Sequence, residues 1–261
     1  MEADELRRLA KSSGFDVATL EKDYALTWLL SGIYSKDSKL SDVLILKGGT
    51  AIRKVYFPEW RLSEDLDFTV LGRVSPVKAR QGFEKAFTLL KEMSGISYSF
   101  SAFSSSRYTI LADVQFLGPL GFKNKIAHDI SLREKLVEEP VWRKVRPEYD
   151  DIPEFRMQVY SLNEILVEKI RSIFQRGKTR DYYDVWRLMK ENRFNESRIR
   201  SLLVRKCEMT GIEFRPDLIF DETRLSEAEK FWTIALARLT KDLSDFQSIL
   251  AELKTLLNFM K

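Results

Sequence analysis

The stretch Leu46-Lys47-Gly48-Gly49-Thr50, running on to Ser63-Glu64-Asp65-Leu66-Asp67-Phe68, decides the reading of this chain. Ahead of it, Asp42-Val43-Leu44-Ile45-Leu46 is a short apolar run with β-branched residues, the pattern of a buried strand. Two glycines break that pattern, and Thr50 to Tyr56 can then form a short helix ended by Pro58. Without Cβ atoms, Gly48 and Gly49 let the backbone turn sharply and bring bare N–H groups close to a ligand. A helix starting there points its positive end at the same spot, which suits phosphate.

Asp65-Leu66-Asp67 leads into Phe68-Thr69-Val70. In a strand, successive side chains point to opposite faces, so Asp65 and Asp67 share one face while Leu66 and Phe68 take the other. Two carboxylates held side by side repel each other unless a cation sits between them. Oxygen-only ligands of this kind suit Mg²⁺ or Mn²⁺ bridging to a substrate phosphate.

The rest of the composition narrows the class. The chain has 261 residues, 44% hydrophobic and 31% charged, as expected of a globular protein with one large domain or two modest ones. A net charge of +4 permits a nucleotide or RNA partner without demanding one. A single cysteine, Cys207, excludes an internal disulfide and points to a reducing cytoplasm. One histidine leaves zinc and Ser-His-Asp chemistry poorly supported. The opening Met-Glu-Ala-Asp-Glu-Leu-Arg-Arg has no signal-peptide pattern, and no apolar run reaches the ~18 residues of a membrane helix, so no membrane partner is expected.

Along the chain, residues 3 to 12 read as a charged helix, and Asp16 can cap the next one, Val17 to Tyr34. Val77 to Met93 reads as an amphipathic crossover helix that returns the chain to the same sheet. Three strand-like runs follow, Ile96 to Phe103, Arg107 to Phe116 and Phe122 to Ser131. They carry two candidates for a third carboxylate, Asp113 and Asp129, and alternation alone does not choose between them. The small neighbours of Asp129 on its own face, Ala127 and Ser131, favour it for a cramped metal site, leaving Asp113 as an edge-strand charge facing water. The region from Leu132 to Phe155, rich in charge and proline, reads as a boundary. From Ser161 onward the pattern is helical.

A second constellation lies in that helical part. Ser161-Leu162-Asn163-Glu164 has the spacing of a capping box. In the helix behind it Lys169 falls on the apolar stripe with Ile165, Leu166 and Ile173, so its ammonium must snorkel or be paired. After Gly177, Asp181, Asp184, Val185 and Leu188 share one face of the next helix. An inward Lys169 and an inward Asp184 can therefore meet across a helical hairpin. Further on, Arg198, Arg200, Arg205 and Lys206 cluster, as a solvated face or as a basic surface for RNA.

The segment KGGTAIRKVYFPEWRLSEDLDFTV resembles the AbiEii-type nucleotidyltransferases, toxin-like members of the polymerase-β-type superfamily. The string EKIRSIFQRGKTRDYYDVWRLM is similar to the second motif of that family, and the likeness spans roughly residues 17 to 190. The resemblance implies an α+β fold: a mixed-sheet nucleotidyltransferase domain over residues 1–140 with helices packed on it, a linker over 141–160, and an all-helical C-terminal domain over 161–261 that completes an active site between them. It implies transfer of an NMP from an NTP, with Mg²⁺ or Mn²⁺ held by Asp65, Asp67 and Asp129. The run Asp129-Ile130-Ser131 before Leu132-Arg133-Glu134 matches the strand supplying the family's third acid. Lys47, Gly48, Gly49, Thr50 and Ser63 would meet the nucleotide. Lys169 would contact the triphosphate, Asp184 would help hold or activate, and Arg180 and Asp181 would support them. The implied acceptor is RNA, at a tRNA 3′ end, and the implied partner an antitoxin restraining a growth-arresting, phage-defence type activity. A nucleotidyltransferase acting on a protein or small molecule, or a non-catalytic binding module of the same fold, are the alternatives.

Overall fold

The structure, a computed structural model, describes residues 1–260. The chain divides into two compact units. The first comprises Met1–Glu134 and Pro140–Tyr160, and the second comprises Lys135–Glu139 and the chain from Ser161 onward.

The first unit opens with helices α1 (Ala3–Ser13) and α2 (Val17–Ile33). Gly14 ends α1 in the left-handed conformation, and the Asp16 side chain accepts from the Thr19 N–H to start α2, as its spacing predicts. Strand β1 (Leu44–Lys47) runs into a short helix, α3 (Gly48–Ala51), which continues as a π-helical turn over Ile52–Tyr56. Strand β2 (Asp65–Val70), helix α4 (Pro76–Ser94) and strands β3 (Ser97–Ser105), β4 (Thr109–Leu117) and β5 (Lys123–Ser131) follow.

The expected linker is not one. Residues 141–160 contain β6 (Val141–Val145) and β7 (Phe155–Val159), which pair antiparallel and extend the sheet. Their charged and proline-rich flanks hid them, because β6 is an edge strand whose outward side chains need not be apolar. The sheet order is β3-β4-β5-β2-β1-β7-β6. It is mixed: β1 pairs antiparallel with β2 and parallel with β7, and β2 pairs parallel with β5. One face carries Leu44, Leu46, Leu66, Phe68, Ile126, Ile130, Ile110 and Val114, all buried, on the side where α2 and α4 pack. The opposite face of β2, β5 and β4 carries the acidic residues.

A buried polar cluster holds the turn after β1 in place. Lys54 pairs with Asp23 of α2 at 2.6 Å and with Glu148 at 3.0 Å, and the Tyr149 hydroxyl donates to the same Asp23 oxygen at 2.7 Å. Arg53 reaches Glu148 at 2.9 Å. The π-helical turn supplies both cations, and a π-turn is the kind of irregularity that re-aims side chains near functional sites.

The second unit is helical, as its periodicity predicts: α5 (Leu162–Arg176), α6 (Thr179–Glu191), α7 (Glu196–Thr210), α8 (Glu222–Lys230), α9 (Trp232–Leu236) and α10 (Phe246–Leu256). Ser161 caps α5 by accepting the Glu164 N–H at 3.0 Å. The Glu164 carboxylate does not close the capping box. It is buried, accepts the Val137 and Glu138 N–H groups at 2.9 Å each, and pairs with buried Lys206 of α7 at 2.9 Å. The Lys206 ammonium also donates to the Lys135 carbonyl at 2.9 Å, so this pair fastens segment Lys135–Glu139 to α5 and α7. Lys206 is therefore not part of a solvated face or an RNA surface, since its carboxylate partner compensates its burial. Among the described residues no helix is long and apolar enough to cross a membrane.

Candidate active site

Strand register assembles the acids. Asp67 on β2 is the register partner of Asp129 on β5, and Asp65 is that of Ala127. Partners in adjacent strands point to the same face about 4.8 Å apart, so Asp65, Asp67 and Asp129 share one face on neighbouring strands. Asp113 shares it too, but as partner of Ala127 on β4 it stands two strands from Asp65. Its carboxylate takes the Lys125 ammonium at 2.7 Å. Asp113 is also not on an edge strand, since β3 lies outside β4. Asp65, Asp67, Leu111, Asp113, Ala127 and Asp129 line a shallow depression of ≈ 410 Å³ on this face.

The glycine turn stands against the second acid. Gly48 has φ +73°, the left-handed conformation that only glycine adopts freely. A Cβ placed on it would lie 2.7 Å from Asp67 Oδ2, so the missing side chain is what lets that carboxylate close on the turn. A Cβ on Gly49 would lie 2.9 Å from the Arg61 guanidinium and 3.1 Å from Ser63 Oγ, so Ser63 stands beside the turn. The Thr50 hydroxyl is buried and donates to the Asp65 carbonyl at 2.6 Å, tying the turn to the start of β2. Lys47, the register partner of Asp67, pairs with Glu134.

Three residues escaped the sequence reading. Arg61 is buried behind Gly49, and its local signals are its place in the family-like stretch and its position between the apolar Trp60 and Leu62. Thr109 donates to Asp129 Oδ1 at 2.7 Å and so orients that carboxylate. Glu134 receives both Lys47 and the Thr69 hydroxyl, the latter at 3.1 Å. Glu134 lies in the family-like run Leu132-Arg133-Glu134, but no local pattern marks Thr109, and each finds its partner across strands.

The donor set is all oxygen, which suits a hard divalent cation. Among the described residues no three His, Cys, Asp or Glu side chains converge closely enough to hold an ion alone. A divalent ion at these acids would need water or substrate phosphate to complete its shell. The single histidine is no ligand: His128 points to the buried face, its Nδ1 near the Ile126 carbonyl at 3.0 Å. Burial pushes its pKa down to about 4.

In the second unit the expected pairing of Lys169 and Asp184 is present. The ammonium on α5 lies 2.8 Å from Asp184 Oδ2 and 3.1 Å from Asp181 Oδ1, both acids being on α6 and buried. Arg176 adds a contact to Asp181 at 3.2 Å. Two acids sharing one ammonium leave a net negative charge locally that the arginine offsets.

The sequence matches the family described as nucleotidyl transferase AbiEii toxin, type IV TA system, over residues 28–252. The chain belongs to that family. It is accordingly a nucleotidyltransferase, the toxin of a type IV toxin–antitoxin system, and membership implies an NTP substrate and an antitoxin partner. The fold is also that of MenT4, a nucleotidyltransferase toxin from Mycobacterium tuberculosis H37Rv. The two align with a TM-score of 0.71 at 15% identity, covering 100% of this chain and 89% of that one. No curated protein matches the sequence. For this AbiEii-family chain, the fold class read from the sequence stands, an α+β unit with a mixed sheet followed by helices.

Proposed function

We propose that this toxin transfers an NMP from an NTP to the hydroxyl of an RNA acceptor, at a tRNA 3′ end, in a divalent-metal-dependent reaction in the cytoplasm that serves phage defence. The observation that carries the reading is the set Asp65, Asp67 and Asp129 on one face of adjacent strands, with Asp67 against the left-handed Gly48 turn. A binding module needs no such set of carboxylates on one face, whereas a metal-assisted reaction on a triphosphate uses them.

Asp65, Asp67 and Asp129 would hold Mg²⁺ or Mn²⁺. The ion supplies charge neutralisation of the triphosphate and of the developing negative charge. The N–H groups of the Gly48-Gly49 turn, with Lys47 and Ser63 around it, receive phosphate oxygens, while Thr50, expected at the nucleotide, braces the turn through the Asp65 carbonyl. Asp129, oriented by Thr109, accepts the proton of the attacking hydroxyl. A bond forms between that oxygen and the α-phosphorus, the bond to the β-phosphate oxygen breaks, and pyrophosphate leaves. Lys169, positioned by Asp184 and Asp181 with Arg180 nearby in sequence, neutralises charge as pyrophosphate departs.

The test is transfer of label from each of the four α-³²P nucleoside triphosphates onto total tRNA with Mg²⁺, with Asp65→Ala protein run alongside. Label on RNA from the intact protein alone supports the reading and names the nucleotide. Label on protein or on a small product instead moves the acceptor, and no transfer by intact, folded protein overturns the catalytic reading.

A further inference from the structure

On the β4 side of Asp129 the surface carries a stack of planar cations. Tyr108, at the head of β4, is 39% exposed. The Arg107 guanidinium lies 4.4 Å from its ring centroid and that of Arg133, after β5, lies 4.3 Å from it. The Leu132 N–H donates to the Tyr108 carbonyl at 2.8 Å, which ties the start of β4 to the end of β5. Several exposed arginines are neutralised by carboxylates, as Arg80 is by Glu84 and Arg198 by Glu138. Neither Arg107 nor Arg133 meets a carboxylate among the described residues.

The stack adjoins the acids. Thr109, the next residue, donates to Asp129 Oδ1 at 2.7 Å, and the register partner of Asp129 on β4 is the exposed Leu111. Across the sheet, the glycine turn follows β1, on one side of Asp67, whereas β4 lies on the other side of Asp129. A triphosphate at the glycine turn leaves the β4 side for the molecule whose hydroxyl approaches Asp129.

We infer that Arg107, Tyr108 and Arg133 form the platform for the acceptor strand, a single-stranded polynucleotide whose end bases stack on the guanidinium faces while its phosphates meet their charge. Polynucleotides alternate planar bases with anionic phosphates, and a guanidinium answers both with a flat face and a fixed charge. A peptide or small-molecule acceptor offers no such alternation. The inference rests on the RNA-acceptor reading above and adds which residues of this chain grip the acceptor.

Anisotropy of a labelled single-stranded oligoribonucleotide tests it on the full chain, together with initial rates at varied acceptor and NTP. Arg107→Ala/Arg133→Ala should weaken binding at least ~10-fold and flatten the slope of log affinity against log salt by about 1.4. KM for the acceptor should rise by a similar factor while KM for the NTP holds. Arg107→Lys/Arg133→Lys should keep the salt slope yet still bind several-fold more weakly, because lysine keeps charge without the plane. Arg107→Ala alone, which removes an exposed group, serves if the double variant fails to fold.

Unchanged oligonucleotide binding, or a change confined to KM for the NTP, overturns the platform. Failure of the two readings is separable. If the variants bind weakly but the intact protein transfers nothing, the platform stands and the catalytic reading falls. If the variants transfer normally at every acceptor concentration, the platform falls and the catalytic reading stands.

Discussion

Asp67 on β2 and Asp129 on β5 are register partners in a parallel strand pair, so residues 62 positions apart in sequence put their carboxylates side by side. Parallel pairing makes this possible, because the chain must leave β2, cross over through α4 and return before β5 can align. Like charges at that spacing repel each other, and a divalent cation bound between them would relieve that repulsion.

Asp67→Asn and Asp129→Asn should therefore each cut nucleotidyl transfer by about 10²–10³-fold. Stability should change little, since asparagine keeps the size of the side chain and can still accept a hydrogen bond. Label transfer and a thermal melt on the same preparations check both halves. A variant that lost activity only by unfolding would contradict the assignment.

Glycine substitutions separate strain from function. Gly48→Ala and Gly72→Ala both place alanine at left-handed φ, +73° and +78°, which costs roughly 1–2 kcal/mol in each case. The Cβ at position 72 meets nothing within 4 Å, but that at 48 strikes Asp67 Oδ2. Both variants should melt a few degrees lower, and only Gly48→Ala should lose activity, by about 10²-fold, the cost of moving a site group by an ångström. Equal loss of activity in both would contradict a role for the turn.

Lys206 and Glu164 form an ion pair with both side chains fully buried. Burial pushes the Glu164 pKa up, with the Lys206 ammonium opposing that shift. Lys206→Met should cost about 3–5 kcal/mol, because it strands a buried carboxylate. Adding Glu164→Gln should return part of that loss, since a neutral amide side chain no longer needs the ammonium. Urea denaturation of the two single variants and the double variant gives the coupling, and strict additivity would exclude it.

His128 gives the fold an acid limb. Its imidazole is buried between Phe68 and Phe83, with Nε2 lacking a partner, and its pKa falls from 6.5 to about 4. Between those values the unfolded chain binds a proton that the folded chain refuses. Stability is therefore full above pH 6.5 and declines by about 3 kcal/mol as pH falls to 4. His128→Phe should flatten this limb, as read from denaturation midpoints across pH 4 to 7.

Local chemistry determined a good part of this protein from sequence alone. The strand before Gly48, the shared face of Asp65 and Asp67, the Asp16 and Ser161 caps, the Gly177 stop and the meeting of Lys169 with Asp184 all follow from periods of two to four residues. Backbone sterics and helix geometry fix these relationships whatever the rest of the chain does. The family motifs are legible for the same reason, being short segments of fixed spacing.

Only the tertiary structure decided what depends on which strand lies beside which. Pairing of β5 with β2 set Asp129 next to Asp67 and left Asp113 two strands from Asp65, where alternation could not choose. Sheet extension turned residues 141–160 from an expected linker into β6 and β7. Packing of α7 drew Lys206 out of an apparent basic face and into the interior. In each case the deciding free energy is hydrogen bonding or burial between segments far apart in sequence, and no window along the chain contains both partners.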